Sequence, residues 1–463
     1  MPSYRGKFQY LSQDGSVTQQ GACQVRFDDE KFTLTPESDA PLVFDLGDLD
    51  AAVAADYEIR LPLYTGNTLK LQQFGKSYGD CSRELLESYG KRTLECLLLE
   101  DMEEVDRFTG GFTLEPAGAQ PISGMAEFRL LRSNLAVLPN ASQAFQWRLA
   151  DIGLVRFDAQ NFEIVLERDG ARLRLNRLAK RTELFQTKLR EALEALTAKG
   201  GEALHGILPF LNADELRAAM ELLPEGHSAA ASKLAKVHPR IPEALAANAV
   251  DKTLRPYYDE LLRRTAPGLL FAGYKLIRPE NRDLQGTVEE ETVADADLAG
   301  DSSNQAGHGM VDADENAPEV LYWFFFPMAA TTTTGTGAAV GNVVAWEASS
   351  RSGRATYFFR LMKPGEEAQL DDSAKAPAAV ERGIGCISRV LGMVNFRRRP
   401  IYLSETDLAQ DVAFHRYAIA ARRIPDLRLV RAAFLGRAVH SSFDAWREQV
   451  NAILAKAGLG DRP

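Results

Sequence analysis

Short runs of alternating apolar and polar residues fill the first part of the chain, the period-two pattern of strands with one face on a core. Residues 6–11, 22–27, 31–35, 42–44, 57–61 and 68–72 carry it. Asp28-Asp29-Glu30 and Gly66-Asn67 between them have turn chemistry. The period then changes. From about Ser82, Leu85, Leu86, Tyr89, Leu94, Leu97 and Leu98 recur at helical spacing. A second pass of the pattern follows. Leu135-Ala136-Val137-Leu138, Phe145-Gln146-Trp147, Phe162 to Leu166 and Leu173-Arg174-Leu175 match the earlier strands, and Asp169-Gly170 stands where Gly66-Asn67 stood. Leu184, Phe185, Leu189, Leu193 and Leu196 supply the second helical stripe. A duplicated unit of short strands closed by one helix is the expectation.

The remainder reads differently. Residues 201–265 are helix-patterned, with breaks at Pro224-Glu225-Gly226 and at Pro239 to Pro242. Residues 269–277 are strand-like, and residues 320–326 form a continuous apolar run, the sign of a strand buried on both faces. Residues 342–347 and 355–361 extend an antiparallel meander. A helix is expected over 376–394, a short extended piece over 399–403, and helices near 405–421, 425–438 and 442–457. Between the first strands of this region, residues 279–318 hold eleven acidic residues against one base, Arg282, and read as a mobile loop. Residues 331–341 lack the lysine of a phosphate loop and read as a flexible connection.

Six or seven short antiparallel strands followed by one amphipathic helix resemble the pleckstrin-homology and GRAM-like superfold. The resemblance covers residues 1–110 and 120–200, rests on element order, and implies a helix that plugs an open corner of a bent, barrel-like sheet. It also implies a binding module rather than an enzyme. Lipid-binding members place bases around the first hairpin, and residues 12–21 here contain none. The fold class is therefore multidomain and β-rich plus α+β. Two tandem pleckstrin-homology-like barrels (1–110 and 120–200) lead through a helical connector (201–265) to an α+β domain with an antiparallel sheet (268–463).

Charge and chemistry narrow the function. The net charge of −10 argues against nucleic-acid binding. Cys23, Cys81, Cys96 and Cys386 are dispersed and the six histidines form no ligand motif, so no metal or cofactor is expected. Two basic clusters are the candidate binding residues. Arg168, Arg172, Arg174, Arg177, Lys180 and Arg181 surround the Asp169-Gly170 hairpin, and Arg397, Arg398 and Arg399 follow a helix. The reading is a cytoplasmic, non-enzymatic binding or scaffold protein. Its partner presents an acidic protein surface, and the acidic loop makes an intramolecular contact with the basic faces. The alternatives are a peripheral membrane protein using the second basic unit on anionic headgroups, and an enzyme with a site around Cys386, Arg397 and His415.

Overall fold

The computed structural model describes residues 3–99, 102–116, 120–277, 319–330, 340–349, 354–372, 374–411 and 414–459. The acidic segment 279–318 and residues 331–339 lie outside them, so the expectations for both remain expectations. The chain divides into two compact units, residues 1–196 with 403–425, and residues 197–402 with 426–463.

The first unit contains the duplication. Its first sheet is built from β1 (Ser3–Leu11), β2 (Val17–Phe27), β3 (Lys31–Pro36), β4 (Leu42–Asp45), β5 (Val53–Ala55), β6 (Glu58–Pro62) and β7 (Thr68–Gln72). The strands lie in the order β4-β3-β2-β1-β7-β6-β5. The helix α1 (Tyr78–Cys96) follows. The second sheet consists of β8 (Glu104–Glu115), β9 (Ile122–Leu131), β10 (Asn134–Pro139), β11 (Phe145–Arg148), β12 (Leu154–Asp158), β13 (Glu163–Arg168) and β14 (Ala171–Asn176). Its order, β11-β10-β9-β8-β14-β13-β12, is the first one repeated, and α2 (Thr182–Ile207) follows it.

Each sheet has its own core. In the first, Phe8, Val25, Leu34, Ile59, Leu61 and Leu71 lie against Leu85 of α1. In the second, Phe108, Phe128, Leu166, Leu173 and Leu175 surround Phe185 and Leu189 of α2. Phe185 meets Phe108 edge-on at 4.9 Å and Phe128 at 6.4 Å, so one aromatic ring closes the sheet's interior. The helical stripes expected from the sequence perform this closure, with one adjustment. Leu86 and Leu184 point outward, 38% and 41% exposed, while Cys81 and Phe185 are fully buried.

Two boundaries differ from the sequence reading. Residues 104–110, read there with the first barrel, form together with residues 111–115 the strand β8, the first of the second sheet. Alternating Phe108, Gly110, Phe112 and Leu114 face its core. Gly110 is needed because β14 approaches closely: a Cβ there would fall 2.6 Å from the Asn176 carbonyl oxygen. Beyond the duplication, the helix expected over 425–438 ends at Ala433. Phe434–Val439 is a strand, β20. Gly436 disfavours helix, and a Cβ on it would press on Ile453 at 3.2 Å. The piece expected to be extended at 399–403 is a turn of helix, Arg399–Tyr402.

The second unit is a six-stranded antiparallel sheet, β15 (Ser228–Ala230), β16 (Phe271–Ile277), β17 (Glu319–Ala329), β18 (Val340–Ala348), β19 (Ala355–Phe359) and β20, in chain order. Trp323, Phe324, Phe325 and Phe326 on β17 are all buried, as their continuous apolar run predicts. Phe324 and Phe326 share a core with Leu234, Leu245, Leu261, Trp446 and Val450 of the surrounding helices. On the other face Trp323 meets Phe396, just past helix Ala376–Met393, at 4.4 Å. The helices of residues 213–264 thus share this sheet's core rather than only bridging to it. Among the described residues no helix is long and apolar enough to cross a membrane.

Replacing Phe185 by Ala is expected to cost about 3–5 kcal/mol, the usual penalty for emptying a buried aromatic site. Urea unfolding of the purified chain checks this. A shift under about 1 kcal/mol would show that α2 does not close the second sheet.

Candidate functional site

The clearest recognition geometry lies on the first repeat, where β4 turns into a short 3-10 turn, Leu46–Asp48. The Asp45 side chain accepts the Gly47 amide and caps that turn. It also accepts two hydrogen bonds from Arg92 of α1, at 3.0 Å from Nε and 2.8 Å from Nη2. Arg92 is 4% exposed, and its Nη1 donates to Glu95 at 2.8 Å. Burial opposes ionisation of Asp45, but the Arg92 hydrogen bonds and charge outweigh it and hold the carboxyl below its ordinary value. Asp48 behaves oppositely. Burial pushes its carboxyl up, although Arg422 bonds it at 2.6 Å.

That arginine comes from helix His415–Arg423, which lies in this groove within the same unit. Phe414, Tyr417 to Ala421 and Arg423 are buried. The Arg423 guanidinium donates to the Leu49 carbonyl oxygen. Arg422 also lies 4.8 Å over the Tyr64 ring, and His415 Nε2 stands 3.7 Å from Asp45 Oδ2. The close approach depends on Gly47. A Cβ there would fall 2.8 Å from Cys96 Sγ and 3.0 Å from Ile419 Cδ1. The groove is acidic and apolar, and the helix presents bases, small alanines and one branched residue. It is a helix-in-groove contact made in cis. The sequence reading placed His415 only in the alternative enzyme site with Cys386 and Arg397, and missed its partner on the first repeat. Asp45 precedes it by several hundred residues, and no local pattern records the pairing.

The basic stripe of the second repeat is largely a ladder of ion pairs. Arg172 lies 2.9 Å from Glu167 and 3.7 Å from Glu115, and Arg174 lies 3.2 Å from Glu115 and 3.6 Å from Glu163. Arg181 bonds Asp106 at 2.7 Å and lies over the Phe108 ring. Arg168 lies 4.9 Å over Trp147. Register explains the ladder: on β13 and β14, Glu167 faces Arg172. Arg177 and Lys180 are exposed and make no ion pair among the described residues. The structure therefore brings four of the six candidate side chains onto aromatic or acidic partners and leaves two outward. The other cluster is no exposed patch. Arg398 is 7% exposed beside the Tyr357 ring at 5.8 Å, and Arg397 and Arg399 are half-buried.

The histidines separate. His415 belongs to the groove just described. His440 is buried in the second unit, stacked on Tyr257 at 4.0 Å, with Glu347 at 3.3 Å and Thr356 at 3.2 Å. Thr356 donates to Glu347 at 2.6 Å and accepts from Trp446 Nε1 at 2.9 Å. With Glu347 1% exposed and Thr356 fully buried, this cluster ties β18, β19 and helix Phe443–Lys456 together and is closed to substrate. Burial pushes the thiols of Cys81 and Cys96 up to about 12, away from nucleophilic chemistry. Among the described residues no group of three or more His, Cys, Asp or Glu side chains is placed to hold a metal ion.

No protein-family model and no curated protein matches the chain. Solved structures with local similarity include the following two. One is an N-terminally truncated linker-DH/PH domain structure of p115-RhoGEF, 13% identical, covering 26% of this chain and 47% of that one, with a TM-score of 0.17. The match thus spans about half the length of that structure's chain. The other is the Spt16D Pob3N heterodimer, 18% identical, covering 36% of this chain and 84% of that one, with a TM-score of 0.16.

The depressed Asp45 carboxyl gives a signed pH dependence. A carboxyl held low in the fold contributes stability above its unfolded value, and that contribution is lost as pH falls through the folded value. Asp45→Asn is expected to destabilise the chain at neutral pH, with the gap to wild type closing in acid below the ordinary carboxylate range. Denaturant melts from pH 7 down to pH 3 check this. A gap that stays constant would remove the Arg92 pairing as the cause.

Proposed function

We propose that the chain is a non-enzymatic binding or scaffold protein whose duplicated N-terminal repeats are pleckstrin-homology-like barrels used for protein–protein contact. The observation that carries the reading is the helix His415–Arg423 seated on the first repeat. One repeat already recognises a helix through paired charges and a glycine-dependent close approach. The repeated strand order with a plugging helix supports the barrel reading.

Protein contact is favoured over anionic headgroups by the state of the basic stripe. Arg172 and Arg174 are already met by Glu115, Glu163 and Glu167, so little uncompensated charge faces outward there. Arg177 and Lys180 remain. Two bases near an anionic surface contribute only about 1 kcal/mol each, before screening. A cytoplasmic setting and a partner with an acidic surface belong to the same reading. So does a self-contact of the acidic segment 279–318, which lies outside the described residues.

Flotation of the full chain with phosphatidylserine-containing vesicles at physiological salt is expected to leave it unbound, and Arg177→Glu with Lys180→Glu to change nothing. Micromolar vesicle binding abolished by that double change would replace this reading with a membrane one. The pair is a cleaner test than altering Arg172 or Arg174, because glutamate there would face Glu167 or Glu115 and disturb the fold.

A further inference from the structure

The two repeats can be compared position by position at the corner that receives the helix. Leu42–Asp45 of the first corresponds to Phe145–Arg148 of the second, each an edge strand running into a 3-10 turn. Lys31 pairs with Asp45 in one sheet and Asn134 with Arg148 in the other, the same register. Down the chain, Gly47 corresponds to Ala150, Asp48 to Asp151, Leu49 to Ile152, and Ala51 and Ala52 to Leu154 and Val155. The edge strands then end on matching hairpin pairs, Ala55 with Glu58 and Asp158 with Glu163.

Matched positions differ in burial. Leu49, Ala51 and Ala52 are buried at 2%, 0% and 7% exposed. Leu154 and Val155 are 45% and 39% exposed, and Ile152 and Leu196 only half-close the second core. The second corner thus keeps the strand order and register, carries Val155 where the first has Ala52, and leaves it open to solvent. Its charge is changed at one place. Where Asp45 meets His415, the second repeat has Arg148, whose Nη1 is buried without a hydrogen-bond partner among the described residues.

We propose that the corner formed by Arg148, Ile152, Val155 and Leu196 is a second helix-docking site, filled by an amphipathic helix of a partner protein. The first repeat's bound helix defines what fits. At the position of His415 the partner carries Glu or Asp, to meet Arg148. Seven residues on, at the position of Arg422, it keeps a base, because Asp151 is retained. At the position of Ile419 it carries Ala, because the Ala150 Cβ occupies the space that Gly47 leaves open. Such a helix buries the exposed edge of β12 and gives the Arg148 guanidinium the carboxylate it lacks.

The proposal deepens the protein-contact reading, and the two fail separately: vesicle binding through Arg177 and Lys180 would sink that reading without bearing on peptide affinity. The probe is a fluorescent peptide of residues 409–427 carrying His415→Glu and Ile419→Ala, titrated into the full chain and followed by anisotropy. Saturable binding is expected, and Val155→Asp, at a solvent-exposed strand position, should abolish it. Arg148→Glu should weaken binding by roughly tenfold or more, one close charge pair's worth. The same variant should gain affinity for a peptide with Lys at the His415 position, and this reversal distinguishes a lost contact from a misfolded protein. No saturable binding, or binding indifferent to Arg148 and Val155, would overturn the proposal.

Discussion

A buried guanidinium organises the corner of the first repeat. Arg92 reaches the edge of the core from α1 and must have its charge met where water does not reach it. Asp45 and Glu95 do this, and removing one partner of such a pair typically costs about 3–5 kcal/mol. The consequence extends beyond the pair. With Asp45 anchored to α1 and capping the Leu46–Asp48 turn, the turn's own groups are held in fixed positions. The Leu49 carbonyl and the Asp48 carboxyl then become receptors for Arg423 and Arg422. A distant helix is thereby held by a strand end, a turn and a helix that one salt bridge has already fixed.

The second repeat solves the same architectural problem with different chemistry. Leu196 stands where Arg92 stood on the closing helix, so its corner needs no buried carboxylate, and position 148 is released to be an arginine. Backbone order is kept because strand pairing and the plugging helix depend on alternating apolar positions, which both copies retain. Surface chemistry changes because nothing in the core constrains it. The charged stripe shows the same economy. Glu115, Glu163 and Glu167 on neighbouring strands meet Arg172 and Arg174 directly, so the stripe is largely a sheet-stabilising ladder.

Legibility followed the range of the interactions. Alternation and turn residues were enough to expect the strands of both repeats, because burial on one face of a pleat imposes period two locally. The duplication was legible for the same reason. Elements whose identity is decided by neighbours far along the chain were misread. Phe434–Val439 looked like the tail of a helix, and only the β19 edge and Ile453 behind Gly436 make it a strand. Residues 104–115 straddled the boundary expected between the barrels, since the glycines that let β14 approach resemble linker glycines. Of the candidate site, the bases were visible but their partners were not. Register across a hairpin, not composition, sets Glu167 opposite Arg172.

A fold repeated in tandem offers an internal control that a single copy lacks. A contact seen once is open to two readings, a packing accident or a recognition mode. When the same corner recurs with backbone, turn and register intact, differences confined to a few side chains separate the two. A packing accident leaves no reason for the second copy to keep an open apolar edge, since exposed edge strands favour aggregation and are usually blunted by charge or short length. β12 is longer than β5, and it begins with Leu154 and Val155 where the first copy has alanines. An apolar enlargement at the position where exposure is most hazardous is the mark of a surface that is covered in use.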